Sequence, residues 1–327
     1  MGFRFQKRLR ILPGVALNFS KSGVSLSLGP RGAQINIGSQ GVRGTVGIPG
    51  TGVSYSKKLT GKSAPQKEDL KVDFLEKLTL SGEQEALING LREYAAGNQD
   101  AAMQQLEKAL SIPDAAFIAG TIALEKGNLD QAADYLSRAR NPELGKHLAE
   151  YGLDARMNLD ITEEITAQIE PNEKGLALAL AEIEQARGNF PAAIQYLQTL
   201  AESGDVIIRV SLCELLLNSG GDQMTCQQVV KLAEGIENET PEHTALLYYR
   251  AKALRNLGLN DAAKEVLTGA LKRKKDRSAE LLQALRYERA LLLETIGDAK
   301  AARKEFESLY AESPDYEDVA ARLGMKS

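Results

Sequence analysis

The residue types that most often carry catalysis or bind metals are few in this chain of 327 residues. It contains two histidines, His147 and His243, and two cysteines, Cys213 and Cys226. Neither histidine lies near a cysteine or a carboxylate cluster at the spacing of a metal site. No nucleophile, base and orienting group occur together as a set. The sequence therefore predicts a protein that is not an enzyme and that needs neither a cofactor nor a metal.

One short motif is similar to the end of a phosphate-binding loop. The segment Gly61-Lys62-Ser63 has the right residue types, but that loop requires a glycine five residues before Gly61, where this chain has Ser56. Pro65 also interrupts any helix that would have to follow. We therefore expect no nucleotide site here.

Charge is distributed very unevenly along the chain. Residues 1–67 contain eleven Lys or Arg and no acid, since the first acidic residue is Glu68. The remaining 260 residues hold 29 basic and 44 acidic side chains. This asymmetry predicts either an anionic partner for the basic head or attraction between the two parts of the chain. The basic candidates for binding an anionic polymer are Arg4, Lys7, Arg8, Arg10, Lys21, Arg31 and Arg43.

Hydrophobic runs are short throughout the sequence. None approaches the roughly 18 apolar residues that would be needed to cross a bilayer. The apolar stretch 11–19 is broken by Pro13, Gly14 and Asn18, so it does not match a secretory leader. We therefore expect a cytoplasmic protein.

The basic head has a nine-residue rhythm typical of short strands. Gly23, Gly32 and Gly41 recur at one phase, and alternating apolar and polar residues lie between the glycines. The predicted strands are 3–11, 15–19, 24–28, 33–37, 42–46 and 53–56. Short strands at this spacing favour an antiparallel β meander, and a small β-solenoid is the alternative.

The opening motifs resemble a bacterial family. They are Met1-Gly2-Phe3-Arg4-Phe5, Pro13-Gly14, Asn18-Phe19-Ser20-Lys21-Ser22-Gly23 and Pro49-Gly50-Thr51-Gly52. Together they are similar to the N-terminal domain of domain-of-unknown-function family 4236, over roughly residues 1–56. The resemblance implies a bacterial origin and brings no activity with it.

The rest of the chain repeats one phrase. Gly97-Asn98-Gln99-Asp100-Ala101-Ala102 recurs four more times in recognisable form. The recurring glycines are Gly97, Gly127, Gly188, Gly258 and Gly297. Two of the intervals are long enough for one degenerate unit each, so the spacing predicts about seven helix pairs, including one across residues 142–171.

This phrase resembles the tetratricopeptide repeat. A helix ends at each glycine, and an alanine five residues later suits the close contact of the paired helices. The resemblance implies a superhelical solenoid whose first helices line a groove for peptides. The groove positions that it implies are Leu87, Leu91, Tyr94, Phe117, Thr121, Tyr248, Lys252, Arg255, Asn256, Tyr287, Leu291 and Glu294. Lys252 and Arg255 beside Tyr248 would suit an acidic group or a terminal carboxylate.

The fold class expected from the sequence is therefore multidomain, β followed by α. The predicted parts are a basic β domain (1–58), a linker with a lead-in helix (59–82) and an all-α repeat array (83–327). The leading hypothesis is a protein-interaction scaffold whose array binds a partner protein or peptide. The alternative gives the head the main role, either as an anchor to an anionic polymer (nucleic acid, membrane or envelope surface) or in self-association.

Overall fold

The computed structural model of the protein describes residues 7–12, 15–20, 23–28, 33–38, 41–47, 54–59, 81–150 and 154–325. The chain divides into two compact units. One comprises Met1–Leu159 with Gln168–Ile183, and the other comprises Asp160–Ala167 with Glu184–Ser327. The lead-in helix predicted in the linker lies outside the described residues.

Six short strands precede the helices. They are β1 (Lys7–Leu12), β2 (Val15–Ser20), β3 (Gly23–Leu28), β4 (Ala33–Gly38), β5 (Gly41–Gly47) and β6 (Ser54–Leu59). Consecutive strands from β1 to β6 pair antiparallel. Alternating apolar residues and glycine-containing turns favour this arrangement, because successive side chains of a strand point to opposite faces.

The helices of the first unit begin after a reciprocal cap. The Ser81 side chain accepts from the Gln84 backbone N–H while the Gln84 side chain accepts from the Ser81 N–H, which fixes the start of the first helix. The helices are α1 (Gly82–Ala95), α2 (Gln99–Leu106), α3 (Pro113–Glu125), α4 (Leu129–Arg138), α5 (Lys146–Glu150) and α6 (Glu173–Ala186). The last of these continues into the second unit.

The second unit is built mainly from helices, and several of them are capped by Asp, Ser or Thr side chains. They are α7 (Phe190–Gln198), α8 (Val206–Asn218), α9 (Gln223–Leu232), α10 (Pro241–Asn256), α11 (Asn260–Ala270), α12 (Ala279–Thr295), α13 (Ala299–Glu312) and α14 (Val319–Arg322). Consecutive helices pack against each other as the pairs α8–α9, α10–α11 and α12–α13.

The predicted repeat turns are confirmed. All five repeated glycines have φ between 75° and 85°, in the left-handed region that favours glycine after a helix end. A helix ends just before each of them, and another begins one or two residues later. The alanine five residues after the glycine is buried in every unit. These alanines are Ala102, Ala132, Ala193, Ala263 and Ala302.

The predicted helix pair across residues 142–171 was wrong. That segment holds only the short helix α5, followed by the strands β7 (Asp154–Asp160) and β8 (Thr166–Ile169), which are neighbours in a sheet. The physical reason lies in the sequence, because apolar residues alternate from Ala155 to Ile161 and again from Ile165 to Ile169. Between residues 142 and 171 the described residues therefore contain a β-hairpin in place of the predicted helix pair.

Two glycines inside first helices, Gly90 of α1 and Gly120 of α3, lie at close helix contacts. A Cβ atom added to Gly120 would lie 2.6 Å from Leu136 Cγ and 3.1 Å from the Leu136 backbone nitrogen. A Cβ on Gly90 would lie 2.7 Å from Leu106 Cγ. The close approach of α3 to α4, and of α1 to α2, therefore requires glycine at these two positions.

We expect Gly120→Ala to destabilise the chain by about 1–2 kcal/mol, because the overpacked contact outweighs the usual gain in helix propensity. Gly269→Ala is the matched control, since Gly269 also lies inside a helix but has no atom within 4 Å of an added Cβ. The control should be neutral or stabilising by about 0.5–1 kcal/mol. Urea denaturation of both variants tests this, and equal midpoint shifts would contradict it.

Candidate functional site

Three consecutive first helices lie side by side in the second unit. Helix α10 packs against both α8 and α12. Their starts are fixed by side-chain caps from Asp205, Thr240 and Ser278. We call the surface that these three helices share the first-helix face.

Two adjacent tyrosines of α10, Tyr248 and Tyr249, are buried, at 8% and 3% exposed. The rings of Tyr248 and Tyr249 lie with their centroids 4.9 Å apart at an interplanar angle of 57°. Burial is the main cause that raises the pKa of both phenols, and the nearby Glu164 carboxylate raises both further. Both therefore act as neutral hydroxyl groups at physiological pH.

Lys252 lies one helical turn after Tyr248. Its ammonium nitrogen is 5.9 Å from the centroid of the Tyr248 ring, within the range of a cation–π contact. The side chain is half-buried. A cation held over an aromatic ring in this way is placed to meet a carboxylate.

Arg255, the other predicted cation, is already engaged inside the fold. It makes a two-pronged ion pair with Glu288 of α12, with Nε 2.5 Å from Oε1 and Nη2 3.3 Å from Oε2. The Glu288 side chain is 3% exposed and that of Arg255 is 21% exposed. The pair links two neighbouring first helices, so Arg255 stabilises the array and does not offer its charge to a ligand.

A loop from earlier in the chain meets the first-helix face. We call Ile161–Ile165, between β7 and β8, the tip loop, and it belongs to the same compact unit as the C-terminal helices. The Tyr249 hydroxyl donates to Oε2 of Glu164 at 3.0 Å. The Ser278 hydroxyl, at the start of α12, donates to the Glu164 carbonyl oxygen at 3.5 Å.

The tip loop is also ordered by its own hydrogen bonds. The Thr162 hydroxyl accepts from the backbone N–H groups of Glu164 and Ile165, at 3.2 and 3.1 Å, and donates to Glu164 Oε2 at 2.9 Å. The Ile161 N–H donates to the Ile165 carbonyl at 3.0 Å. The Glu164 carboxylate is therefore held between its own turn and Tyr249.

A buried acid on α8 lies close to the tip loop. Burial, together with the charges of Glu164 and Glu163, raises the pKa of Glu214 to about 8. A hydrogen bond from Gln185, at 3.5 Å, and the charge of Lys252 oppose this rise. Glu214 is therefore mostly protonated at neutral pH.

Tyr287 of α12 is held in an aromatic and polar cluster at the C-terminal end. Its hydroxyl donates to Asp318 Oδ1 at 2.5 Å, and its ring meets the edges of Phe306 and Tyr316 at centroid distances of 6.0 and 5.7 Å. Burial, followed by the Asp318 hydrogen bond, raises the pKa of Tyr287 to about 12. Its main role is therefore packing between α12 and the residues after α13.

The other predicted groove positions of this helix pair and of α10 are placed differently. Asn256 at the end of α10 is exposed, and Leu291 is half-buried against the C-terminal core. Glu294 is exposed and accepts a hydrogen bond from Arg322. Of these three, Asn256 and Glu294 have side chains open to solvent.

In the first unit, the predicted groove positions are in the core. Each of them is 5% exposed or less. They are Leu87, Leu91, Tyr94, Phe117 and Thr121. The groove role that the resemblance implies for Phe117, which is 0% exposed, does not fit this placement, because α3 is buried along nearly its whole length.

The basic residues of the head are only partly described. Lys7, Arg8 and Arg10 belong to β1 and Arg43 belongs to β5. Arg4, Lys21 and Arg31 lie outside the described residues. Their proposed contact with an anionic polymer, and self-association through the head, remain predictions.

A separate cleft of about 650 Å³ lies among α11, α12 and α13. Two of the arginines in its wall are paired with acids, since Arg286 meets Glu312 at 2.7 Å and Arg289 meets Glu305 at 2.5 Å. The cleft shares no lining residue with the cluster around Tyr248. It is therefore a distinct feature of the fold.

Sequence reasoning missed Tyr249, Glu164 and Ser278. Tyr249 occupies no repeat position that the resemblance assigns to the groove, and Glu164 lies in the segment that was predicted as a helix pair. The alternating residues of β7 and β8 were the signal that could have identified a hairpin with Glu164 at its tip. No local signal places that tip against α10.

Comparisons with known proteins support both parts of the architecture. The family described as "Protein of unknown function (DUF4236)" matches residues 3–56, and the family described as "Tetratricopeptide repeat" matches residues 248–317. Both resemblances found in the sequence are confirmed. Among curated proteins, no relative matches the chain.

A solved structure supports the fold of the helical part. The N-terminal domain of the EccA1 ATPase from the ESX-1 secretion system of Mycobacterium tuberculosis matches with a TM-score of 0.56 and 17% identity, covering 74% of this chain and 88% of that one. The apo quorum sensor NprR from B. thuringiensis matches with a TM-score of 0.49 and 14% identity, over 77% and 71% of the two chains. The first of these likenesses shows a shared fold.

No helix among the described residues is long and apolar enough to cross a membrane. Within the same residues, no group of three or more His, Cys, Asp or Glu side chains could hold a metal ion.

Proposed function

We propose that this protein is a non-enzymatic interaction scaffold whose repeat array binds a partner peptide or protein on the first-helix face. The observation that carries the proposal is the half-buried Lys252 ammonium held over the buried Tyr248 ring, because it places a cation on the middle one of three adjacent first helices. Repeat arrays use such extended helix faces for binding.

The proposal keeps the predicted division of the chain. Residues 1–58 form a basic head, 59–82 form a linker and 83–327 form the binding array. Asn256 and Lys252 would be the polar contacts on α10, whereas Arg255 and Tyr287 would support the face from within. The charge of Lys252 over the Tyr248 ring favours a partner segment with a carboxylate.

Selection of displayed random peptides on the full-length protein tests this function. The selected peptides should bind the Lys252→Glu variant about tenfold more weakly than the wild type, or weaker still, because the change places a negative charge where a carboxylate docks. Lys264→Glu, at an exposed position of α11, is the matched control and should bind as the wild type does. If the two variants behave alike, or if no peptide is enriched, the proposed function is wrong.

A further inference from the structure

The first-helix face already holds a segment of the chain itself. Glu164 lies 85 residues before Tyr249, yet its carboxylate accepts from the Tyr249 hydroxyl and its carbonyl accepts from Ser278. Residues 160–167 form one compact unit with the C-terminal helices. The Glu164 carboxylate accepts a hydrogen bond from Tyr249, which belongs to the candidate binding group. The tip loop therefore occupies the position of a ligand.

The tip loop has a defined chemical pattern. Ile161, Thr162 and Ile165 are 0%, 6% and 4% exposed, while Glu163 is exposed and Glu164 is half-buried. The loop is thus a tight turn that presents one carboxylate between two buried β-branched apolar residues. The Thr162 hydroxyl accepts from the backbone N–H groups of Glu164 and Ile165, and these hydrogen bonds shape the turn independently of α10.

We propose that the first-helix face is a site for a tight acidic turn, that the tip loop fills this site in cis, and that a partner protein carrying a turn of the same chemistry binds by displacing the loop. This inference rests on the proposed function and names the partner chemistry of the same site. The donors that would bind the partner are the hydroxyl groups of Tyr249 and Ser278, and Lys252, on the same helix as Tyr249, would add a positive charge.

The charges around the site are consistent with one bound carboxylate at a time. Lys252 and the start of α12 at Ser278 favour an anion. Glu288 is neutralised by Arg255. Glu214 keeps its proton at neutral pH, so it does not repel the Glu164 carboxylate as a full charge. A second ionised group in the same place would meet Glu164 itself, so the partner turn and the tip loop exclude each other.

The test uses a fluorescent cyclic peptide that copies residues 159–168 as the probe. Its binding is measured by anisotropy against the full chain and against a chain whose residues 161–165 are replaced by Asn-Gly, a two-residue hairpin turn. We expect the loop-shortened chain to bind the probe about tenfold more tightly or better, because a site that is open in a tenth of the molecules or fewer binds correspondingly more weakly. Tyr249→Phe in the shortened chain should weaken binding of the probe by about tenfold, since the change removes one hydrogen bond to a charged group.

Several results would overturn the inference. Equal binding of the probe to the full and shortened chains would do so, and so would tight binding that does not respond to Tyr249→Phe. Library-selected peptides that bind the full chain and do not compete with the probe would leave the scaffold function intact and remove the acidic-turn site. Failure of every peptide to bind either chain would remove the scaffold function as well.

Point variants keep the inference testable if the shortened chain does not fold. In the full chain, Glu164→Ala removes the side-chain contact with Tyr249, while Gln168→Ala changes an exposed residue of the same hairpin. Hydrogen exchange of the amides of residues 161–165 should accelerate about tenfold in Glu164→Ala and remain unchanged in Gln168→Ala. Equal exchange in both variants would show that the loop is not docked through Glu164.

Discussion

Replacing Arg255 with Met should cost about 3 kcal/mol of folding free energy, one of the largest effects of any single change in the array. The Glu288 carboxylate that Arg255 neutralises is 3% exposed, so the variant leaves a buried negative charge without its partner. The reverse change, Glu288→Gln, leaves the guanidinium, whose side chain is 21% exposed, in partial contact with water. That change should cost less, about 1 kcal/mol.

A double variant separates this ion pair from a general loss of packing. Arg255→Met with Glu288→Met removes both charges and keeps similar volume, so it should recover most of the stability that the first change loses. Urea denaturation followed by circular dichroism gives the free energies of unfolding of Arg255→Met, Glu288→Met and the double variant. Additive losses in the double variant would show that the two side chains stabilise the array independently.

The helical part of the fold could be predicted because its signals are local. Each repeat turn needs a residue with positive φ, and Gly97, Gly127 and the later repeated glycines provide it at a readable spacing. The close helix contacts need small residues, and Gly120 and Ala263 are small for that reason. Patterns that depend on one or two turns of helix are visible in a single sequence.

The hairpin was missed for a different physical reason. Residues 142–171 fall where the repeat spacing leaves room for a degenerate unit, and that spacing was given more weight than the alternation from Ala155 to Ile161. In this short segment, only the recurrence of apolar residues at every second position distinguishes the strands from a weakly amphipathic helix. A test of both periods on the same residues would have indicated strands.

The candidate site was partly predictable. The family pattern pointed to Tyr248 and Lys252, which the structure places together. It could not show that Arg255 is paired with Glu288 or that Phe117 is in the core, because both depend on which helices become neighbours. The contact between Glu164 and Tyr249 joins residues far apart in the chain and has no sequence period at all.

Glu214 should make the stability of the chain fall as pH rises. In the folded protein its pKa is raised to about 8, whereas the ordinary value, which applies to the unfolded chain, is 4.5. Below about pH 4.5 both states hold the proton, so Glu214 adds no pH dependence. Between 4.5 and 8 the folded state keeps a proton that the unfolded state releases, so raising the pH favours unfolding until the folded state also loses it.

Glu214→Gln mimics the protonated acid and should therefore remove this dependence. We expect the variant and the wild type to be about equally stable at pH 5, and the variant to be more stable at pH 9 by on the order of 2–4 kcal/mol. Glu164→Gln removes a nearby negative charge, so it should lower the pKa of Glu214. The pH range in which stability falls should then end at a lower pH than in the wild type. Glu265→Gln, at an exposed position of α11, is the matched control and should leave the pH profile unchanged. Urea midpoints measured from pH 5 to pH 9 give the comparison. If the stability of the wild type does not change between pH 5 and pH 8, Glu214 is ionised in the folded chain. The tip loop could then not hold the Glu164 carboxylate beside it.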